Sequence, residues 1–269
     1  MRLISLQSGS SGNCIYVESN DVRLLFDAGL SASQVDHRLA AHEIDPKTID
    51  ALFISHNHSD HVRCANMYLK KFGFPLFATE PTLYAAKRSV IFERGADIHH
   101  FRSGTSTKIK HVTIETICTP HDAVDGVVFV IDDGQHRLGI CTDVGHVFQD
   151  LKSLVKGVDG LFLESNYDEE MLENGSYPYF LKKRISGPGG HISNREAANL
   201  VAKNATARLQ WLCLAHLSAS NNSPEKALAA HRRVLSKDLP IQVTNRFKPS
   251  EALTLGTKQT IVSQMVFDF

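Results

Sequence analysis

From position 56 to position 61 the chain reads His56-Asn57-His58-Ser59-Asp60-His61, three imidazoles and one carboxylate within six residues, directly after the apolar run Ala51-Leu52-Phe53-Ile54. An apolar run of that length is of the buried-strand type. A buried strand that ends in a burst of metal-ligand residues points to an active site at its end. Imidazole nitrogen and carboxylate oxygen suit zinc and its divalent neighbours. One ion cannot use all four groups and keep a position open for chemistry. Two adjacent ions can share them, with His56 and His58 facing one and Asp60 and His61 the other.

The 269 residues are enough for one large domain or two small ones. At 42% apolar and 22% charged the composition is that of a soluble globular protein. No apolar run approaches the ~18 residues of a membrane span. The start, Leu3-Ile4-Ser5-Leu6, lacks a basic lead-in and a cleavage site, so a cytoplasmic protein is expected. Five cysteines, odd in number and without a Cys-x-x-Cys pair, argue against a disulfide framework and suggest small core residues. The net charge is zero, yet residues 182–250 hold 12 Lys/Arg against 3 Asp/Glu. That asymmetry fits an anionic partner for the C-terminal part, and equally a set of solvated helix faces.

Periodicity and turn signals predict strands at Leu3–Gln7, Cys14–Glu18 and Val22–Phe26, a helix at about Ser33–His42, the strand before the ligand motif, and a helix at about Val62–Lys71. Further strands are expected at Val112–Cys118, Val127–Ile131, Leu138–Cys141, Gly160–Leu163 and Leu209–Ala215, with helices at Asn194–Lys203 and Pro224–Leu235. Ser223 followed by Pro224 is a helix-start signature. Ile241–Thr244 and Ile261–Phe269 read as late strands. No linker divides the chain, so one domain over 1–269 is expected: two mixed sheets packed together with helices outside.

Downstream of the motif come Thr119-Pro120-His121-Asp122, Cys141-Thr142-Asp143-Val144-Gly145-His146 and Leu214-Ala215-His216-Leu217-Ser218. With His-x-His-x-Asp-His after a strand, this order resembles the metallo-β-lactamase superfamily over nearly the whole chain. The resemblance implies an α/β (α+β) fold, an αββα sandwich with a dinuclear metal site at one sheet edge. By its pattern His56, His58 and His121 hold one ion, Asp60, His61 and His216 the other, and Asp143 bridges them. Asp27 matches the early Asp that orients ligands from behind. The segments Ser8–Asn13, Glu164–Asp168, Gly190–Asn194 and His216–Asn222 narrow the likeness to the YycJ/WalJ group, described as 5′→3′ DNA exonucleases. Cys64 stands where that group commonly has Gly. Gly190-His191 before a helix is also similar to the segment of ribonuclease Z that supplies a proton-donating His.

Phosphodiester hydrolysis needs a nucleophile at neutral pH and neutralisation of phosphate charge. Two metal ions ~3.5–4 Å apart provide both, and can lower the pKa of water from 15.7 to ~7. Zinc or manganese fits the ligands, with iron also compatible. Asp60 could steer a metal-bridging hydroxide. His191 is the candidate donor of a proton to the leaving 3′-oxygen. Ser10, Ser11, Asn166, Asn194 and Asn221 could contact phosphate or sugar. DNA is the expected substrate. A ribonuclease Z-like enzyme and a thioester or lactone hydrolase are the alternatives on the same metal set. Finally, Gln264-Met265-Val266-Phe267-Asp268-Phe269 resembles the peptide that docks on bacterial sliding clamps, although a final core strand explains the same alternation.

Overall fold

Strand residues point alternately to opposite faces, and here each face meets a different apolar layer. The computed structural model describes residues 1–256. The first sheet is built from β1 (Arg2–Gln7), β2 (Cys14–Ser19), β3 (Val22–Phe26), β4 (Ala51–Phe53), β5 (Leu76–Thr79) and β6 (Ile98–Phe101). The second is built from β7 (Ser106–Ile109), β8 (Val112–Cys118), β9 (Val127–Asp132), β10 (Arg137–Cys141), β11 (Gly160–Glu164), β12 (Trp211–Ala215) and β13 (Ile241–Val243). A short strand, β14 (Leu253–Thr254), returns to pair with β1. Among the described residues each sheet has seven strands, in the orders β14-β1-β2-β3-β4-β5-β6 and β13-β12-β11-β10-β9-β8-β7. Both follow one plan. An antiparallel meander (β1 to β3, β7 to β10) continues into a parallel half (β3 to β6, β10 to β13).

The inner faces share one core. Leu24, Phe26 and Phe53 of the first sheet pack with Phe129, Ile140, Phe162 and Trp211 of the second. Phe26 and Phe129 have ring centroids 5.0 Å apart across the sandwich. The alternate residues Leu25 and Leu52 face outward, under α1 (Ala32–Ala40). The same outer layer takes in residues of the first motif helix, α2 (Ser59–Val62), and of α3 (Ala65–Phe72) and α4 (Glu80–Ala86). On the other side, Leu161, Leu163, Leu212 and Leu214 lie under α5 (Gln149–Gly157), and two further short helices, α6 (Glu169–Asn174) and α7 (Tyr179–Ile185), precede α8 (Asn194–Asn204) and α9 (Pro224–Arg232). α8 opens on a capping box formed by Ser193 and Glu196, and α9 on Ser223, whose hydroxyl accepts from Lys226 N. The architecture is the αββα sandwich the resemblance implied.

The helix expected over Val62–Lys71 is α3, which starts at Ala65 and is separated from the shorter α2 before it. The chain breaks at Arg63-Cys64 because Cys64 N donates to Ala28 O at 2.9 Å and Ala28 N to His61 O at 2.6 Å. Those bonds sew the ligand motif to the loop after β3. The five cysteines are free, as expected, but only Cys14, Cys141 and Cys213 are buried; Cys118, at the end of β8, is exposed. The strand expected at Ile261–Phe269 and the clamp-like peptide both lie outside the described residues.

Candidate metal centre

In both sheets the parallel strands deliver polar residues at their carboxyl ends, where open α/β sheets place their sites. Asp27 follows β3, and Ser55 to His61 follow β4. Asp143 follows β10, Glu164 ends β11, and His216 follows β12. His121 comes from the connection between β8 and β9, and His191 from the segment leading into α8. Asp27, Asp143 and His216 each turn the chain with a left-handed backbone, φ 65°, 57° and 53°. Non-glycine residues avoid that region unless the surroundings hold them there, and such strain gathers at functional sites.

Seven side chains from the two sheets converge. His58 Nδ1 lies 3.2 Å from His121 Nε2, and His56 stacks edge-on to both rings, centroids 4.7 and 5.3 Å away. On the other side Asp60 Oδ2 is 3.4 Å from His61 Nε2 and 3.5 Å from His216 Nε2. Asp143 sits between the two groups. Its Oδ2 is 3.0 Å from His61 Nε2, and its Oδ1 is 3.5 Å from His121 Nε2 and 3.8 Å from His216 Nε2. His56–His58–His121 and Asp60–His61–His216 each present donor atoms within 4.8 Å of one another, the spacing of a metal-ligand set.

The outward nitrogens decide whether these groups fit a metal. His61 Nδ1 donates to Asp27 Oδ2 at 2.7 Å, His121 Nδ1 to Gly190 O at 2.9 Å, and His216 Nδ1 to Glu164 Oε2 at 3.1 Å. His56 Nδ1 bonds Ser55 Oγ at 2.9 Å, while that hydroxyl donates to Asp27 Oδ1 at 2.8 Å. His58 runs the other way, Nε2 toward Asp122 O at 3.3 Å. Each ring therefore has one nitrogen tied outward and the other aimed at the centre, the arrangement that fixes tautomer and orientation in metal-binding imidazoles. His56 Nε2, His216 Nε2 and Asp143 Oδ2 are buried and have no hydrogen-bond partner in good geometry among the described residues. Buried polar atoms without partners are costly, and cations would satisfy all three.

The charges agree. Burial pushes the His56 pKa well below the ordinary imidazole value. Burial also works against protonation of His61, but Asp143, Asp27 and Asp60 outweigh it and raise that pKa well above the ordinary value. In the same way Asp143, Asp60 and Glu164 overcome burial at His216 and raise it to about 10. Burial opposes ionisation of Asp143, yet His216, His61 and His56 hold its pKa well below the usual carboxylate range. Protons on His61 and His216 thus balance carboxylates that bound cations would otherwise balance.

Glu164 was not singled out from the sequence, and it is the hub of the second-sheet half. Fully buried, it accepts from Asp143 N at 2.9 Å, Ile192 N at 3.0 Å, and the Nδ1 atoms of His191 and His216, both at 3.1 Å. A carboxylate ending the apolar strand Gly160-Leu161-Phe162-Leu163 was the available signal. Asn13 was also missed; its amide donates to Asp60 Oδ2 at 3.3 Å. His191 stands at the edge of the centre, Nδ1 3.8 Å from Asp143 Oδ1. Of the expected substrate contacts, Ser10 and Ser11 lie exposed on the rim, beside Arg246 and Arg63 respectively. Asn166 and Asn194 are buried and bond within the protein, to His216 O at 2.8 Å and Asn222 Oδ1 at 2.8 Å, so they brace the ligand loops. Asn221 is fully buried.

A sandwich of two mixed sheets with buried His/Asp clusters at one edge defines the class of metallo-β-lactamase-fold hydrolases with a binuclear type of site. Residues 22–216 match the family described as "Beta-lactamase superfamily domain", and the chain belongs to the metallo-β-lactamase superfamily. Among individual relatives it is 34% identical over 224 residues to the exodeoxyribonuclease WalJ of Streptococcus pneumoniae, covering 82% of this chain and 83% of that one. It is 31% identical over 232 residues to the exodeoxyribonuclease YycJ of Bacillus anthracis, covering 86% and 88%. The Zn²⁺-bound PqqB of Methylobacterium extorquens shares the fold, with TM-score 0.71, 16% identity, and coverage of 95% and 100%.

Proposed function

We propose that this chain is a dinuclear metal-dependent phosphodiesterase that digests DNA from its 5′ end. The observation that carries the reading is the position of Asp143 between two ligand triads, each with its donor atoms gathered and its outer nitrogens tied. The identity to two exodeoxyribonucleases over more than four-fifths of the chain supports DNA as the substrate. His56, His58 and His121 would hold one divalent ion, Asp60, His61 and His216 the second, and Asp143 both. When bound, such a pair supplies charge neutralisation for the phosphate and a water acidic enough to attack at neutral pH.

The chain's own residues do the rest. Asp60, held by Asn13, keeps a carboxylate oxygen at the centre to orient the attacking water. Burial opposes protonation of His191, but Glu164 and Asp143 outweigh it and raise its pKa above the ordinary imidazole value, which favours the protonated ring a general acid needs. Glu164 holds its Nδ1, which leaves Nε2 as the atom able to give that proton to the leaving 3′-oxygen. Zinc and manganese both suit this donor set.

Time courses on 5′- and 3′-labelled duplexes, run beside metal analysis and with RNA and thioester substrates in parallel, test the reading. Asp60→Ala or His58→Ala is expected to abolish digestion while DNA binding survives. His191→Ala is expected to slow turnover about 10²-fold or more with little effect on binding. Digestion at the wild-type rate by both ligand variants would remove the assignment, and activity confined to RNA or thioesters would remove DNA.

A further inference from the structure

α7 is unlike its neighbours: none of its residues is buried, and Tyr179 and Phe180 are 74% and 73% exposed. Short helices take most of their stability from packing an apolar face, which α7 does not do. Polar ties hold it instead. Lys182 Nζ donates to Glu173 O at 2.6 Å, and Arg184 Nε to Asp122 Oδ2 at 2.6 Å. His191 N donates to Ile185 O at 2.8 Å. Two of these ties end at the metal centre, since Asp122 Oδ1 is 3.5 Å from His121 Nε2 and His191 borders Asp143. The helix therefore stands on the wall of the site. It shows solvent two aromatic rings followed by Lys182-Lys183-Arg184, and it carries no acidic residue. Lys183 Nζ already lies 5.5 Å from the Tyr179 ring centroid.

We infer that α7 is a platform for unpaired nucleobases: Tyr179 and Phe180 stack bases of a single-stranded DNA end, and Lys183 and Arg184 take the adjoining phosphates. The inference rests on the nuclease reading for the identity of the strand, and it names how that strand is held. Exposed aromatic planes beside ammonium and guanidinium groups grip single strands without reading sequence, because every base has a π-face. Charge complementarity points the same way: three successive cations match an evenly charged backbone. Arg184 has Asp122 as its carboxylate partner, and a phosphate entering beside His121 can replace that carboxylate. A lipid surface also accepts an aromatic and basic helix, but α7 stands against the wall of the metal centre, where a substrate strand must pass.

The test compares binding of an oligothymidylate with phosphorothioate linkages against an abasic oligomer of equal length and charge. The wild-type chain is expected to prefer the base-bearing strand about tenfold. Tyr179→Ala/Phe180→Ala is expected to lose that preference while its unfolding temperature stays at the wild-type value, both side chains being exposed. Lys183→Ala is expected to weaken binding of both oligomers and lessen its salt dependence. Equal wild-type affinity for the two oligomers, or an undiminished preference in the double variant, overturns the inference. So does ring-dependent binding to phosphatidylglycerol vesicles with the oligomer preference intact, which would make α7 a membrane contact. If the metal-loaded chain cuts no DNA yet prefers bases in a ring-dependent way, the nuclease reading falls and the platform stands.

Discussion

Glu164 shows how much one side chain can organise. Its two oxygens accept from the backbone of Asp143 and Ile192 and from the rings of His191 and His216, so it aligns the proposed bridge, one proposed ligand and the proposed acid together. Glu164→Gln keeps the shape but turns an amide NH2 toward groups that are themselves donors. Metal affinity is expected to fall about 10–100-fold with the secondary structure intact, measured by competition with a chromophoric chelator. Unchanged affinity would show that His216 needs no such brace. At this scale the sequence was legible where candidate ligands are neighbours, as in 56–61, or stand in a family pattern, as do His121, Asp143 and His216, in that the fold brings these side chains together. Glu164 was not, because its partners lie 21 to 52 positions away and only the packed strand ends bring them within reach. The buried amides of Asn166 and Asn194 show the converse: sequence reveals that an amide is present, not that neighbouring loops use it.

Among the elements, those with a clear apolar period or a strong cap were foreseen, including β1 to β4, α8 behind Ser193 and α9 behind Ser223. β6 and β7 were not, since half of their residues are exposed and neither Ile-His-His-Phe nor Ser-Thr-Lys-Ile alternates apolar with polar side chains. α7 was not either, having no buried stripe. α9 also carries a testable burden. His231 is fully buried, its Nδ1 donates to Ala227 O at 2.9 Å, and its Nε2 has no partner among the described residues. Burial pushes its pKa down to about 4, against an ordinary value of 6.5. The folded pKa is the lower one, so the unfolded chain binds the proton first. The stability tied to the neutral ring is therefore complete above about pH 6.5 and is lost as pH falls toward 4, by about 3 kcal/mol. His231→Leu removes the titrating group. In urea titrations the variant is expected to lose about 3 kcal/mol less than wild type between pH 7 and pH 4. Parallel losses would mean that the helix opens to water before the ring is charged.

On the scale of the whole molecule, the two sheets meet through an apolar core but are joined at one edge by polar groups from both. His56, His58, Asp60 and His61 come from the first sheet, and His121, Asp143 and His216 from the second. Each proposed ion would touch ligands of both halves, so bound metal would act as a clasp across the sandwich as well as a catalyst. Glycines admit the close approach this needs. A Cβ at Gly145 would collide with the carbonyl oxygens of Pro120 and Pro188, and one at Gly29 with that of Asp60. A ligand that binds the folded chain alone stabilises it by about 4 kcal/mol at a free concentration 1,000 times its Kd. For a chain of this size that is a rise in Tm on the order of 10 °C. Chelation is accordingly expected to lower Tm by about that amount. His58→Ala and Asp143→Asn, which remove proposed ligands on either side of the interface, are expected to shrink the metal-dependent part of the shift. The core between the sheets is independent of metal, so far-UV circular dichroism should show the chelated protein still folded at room temperature. A Tm that ignores both metal and chelator would mean that no ion spans the two halves, and the dinuclear reading would fail with the clasp.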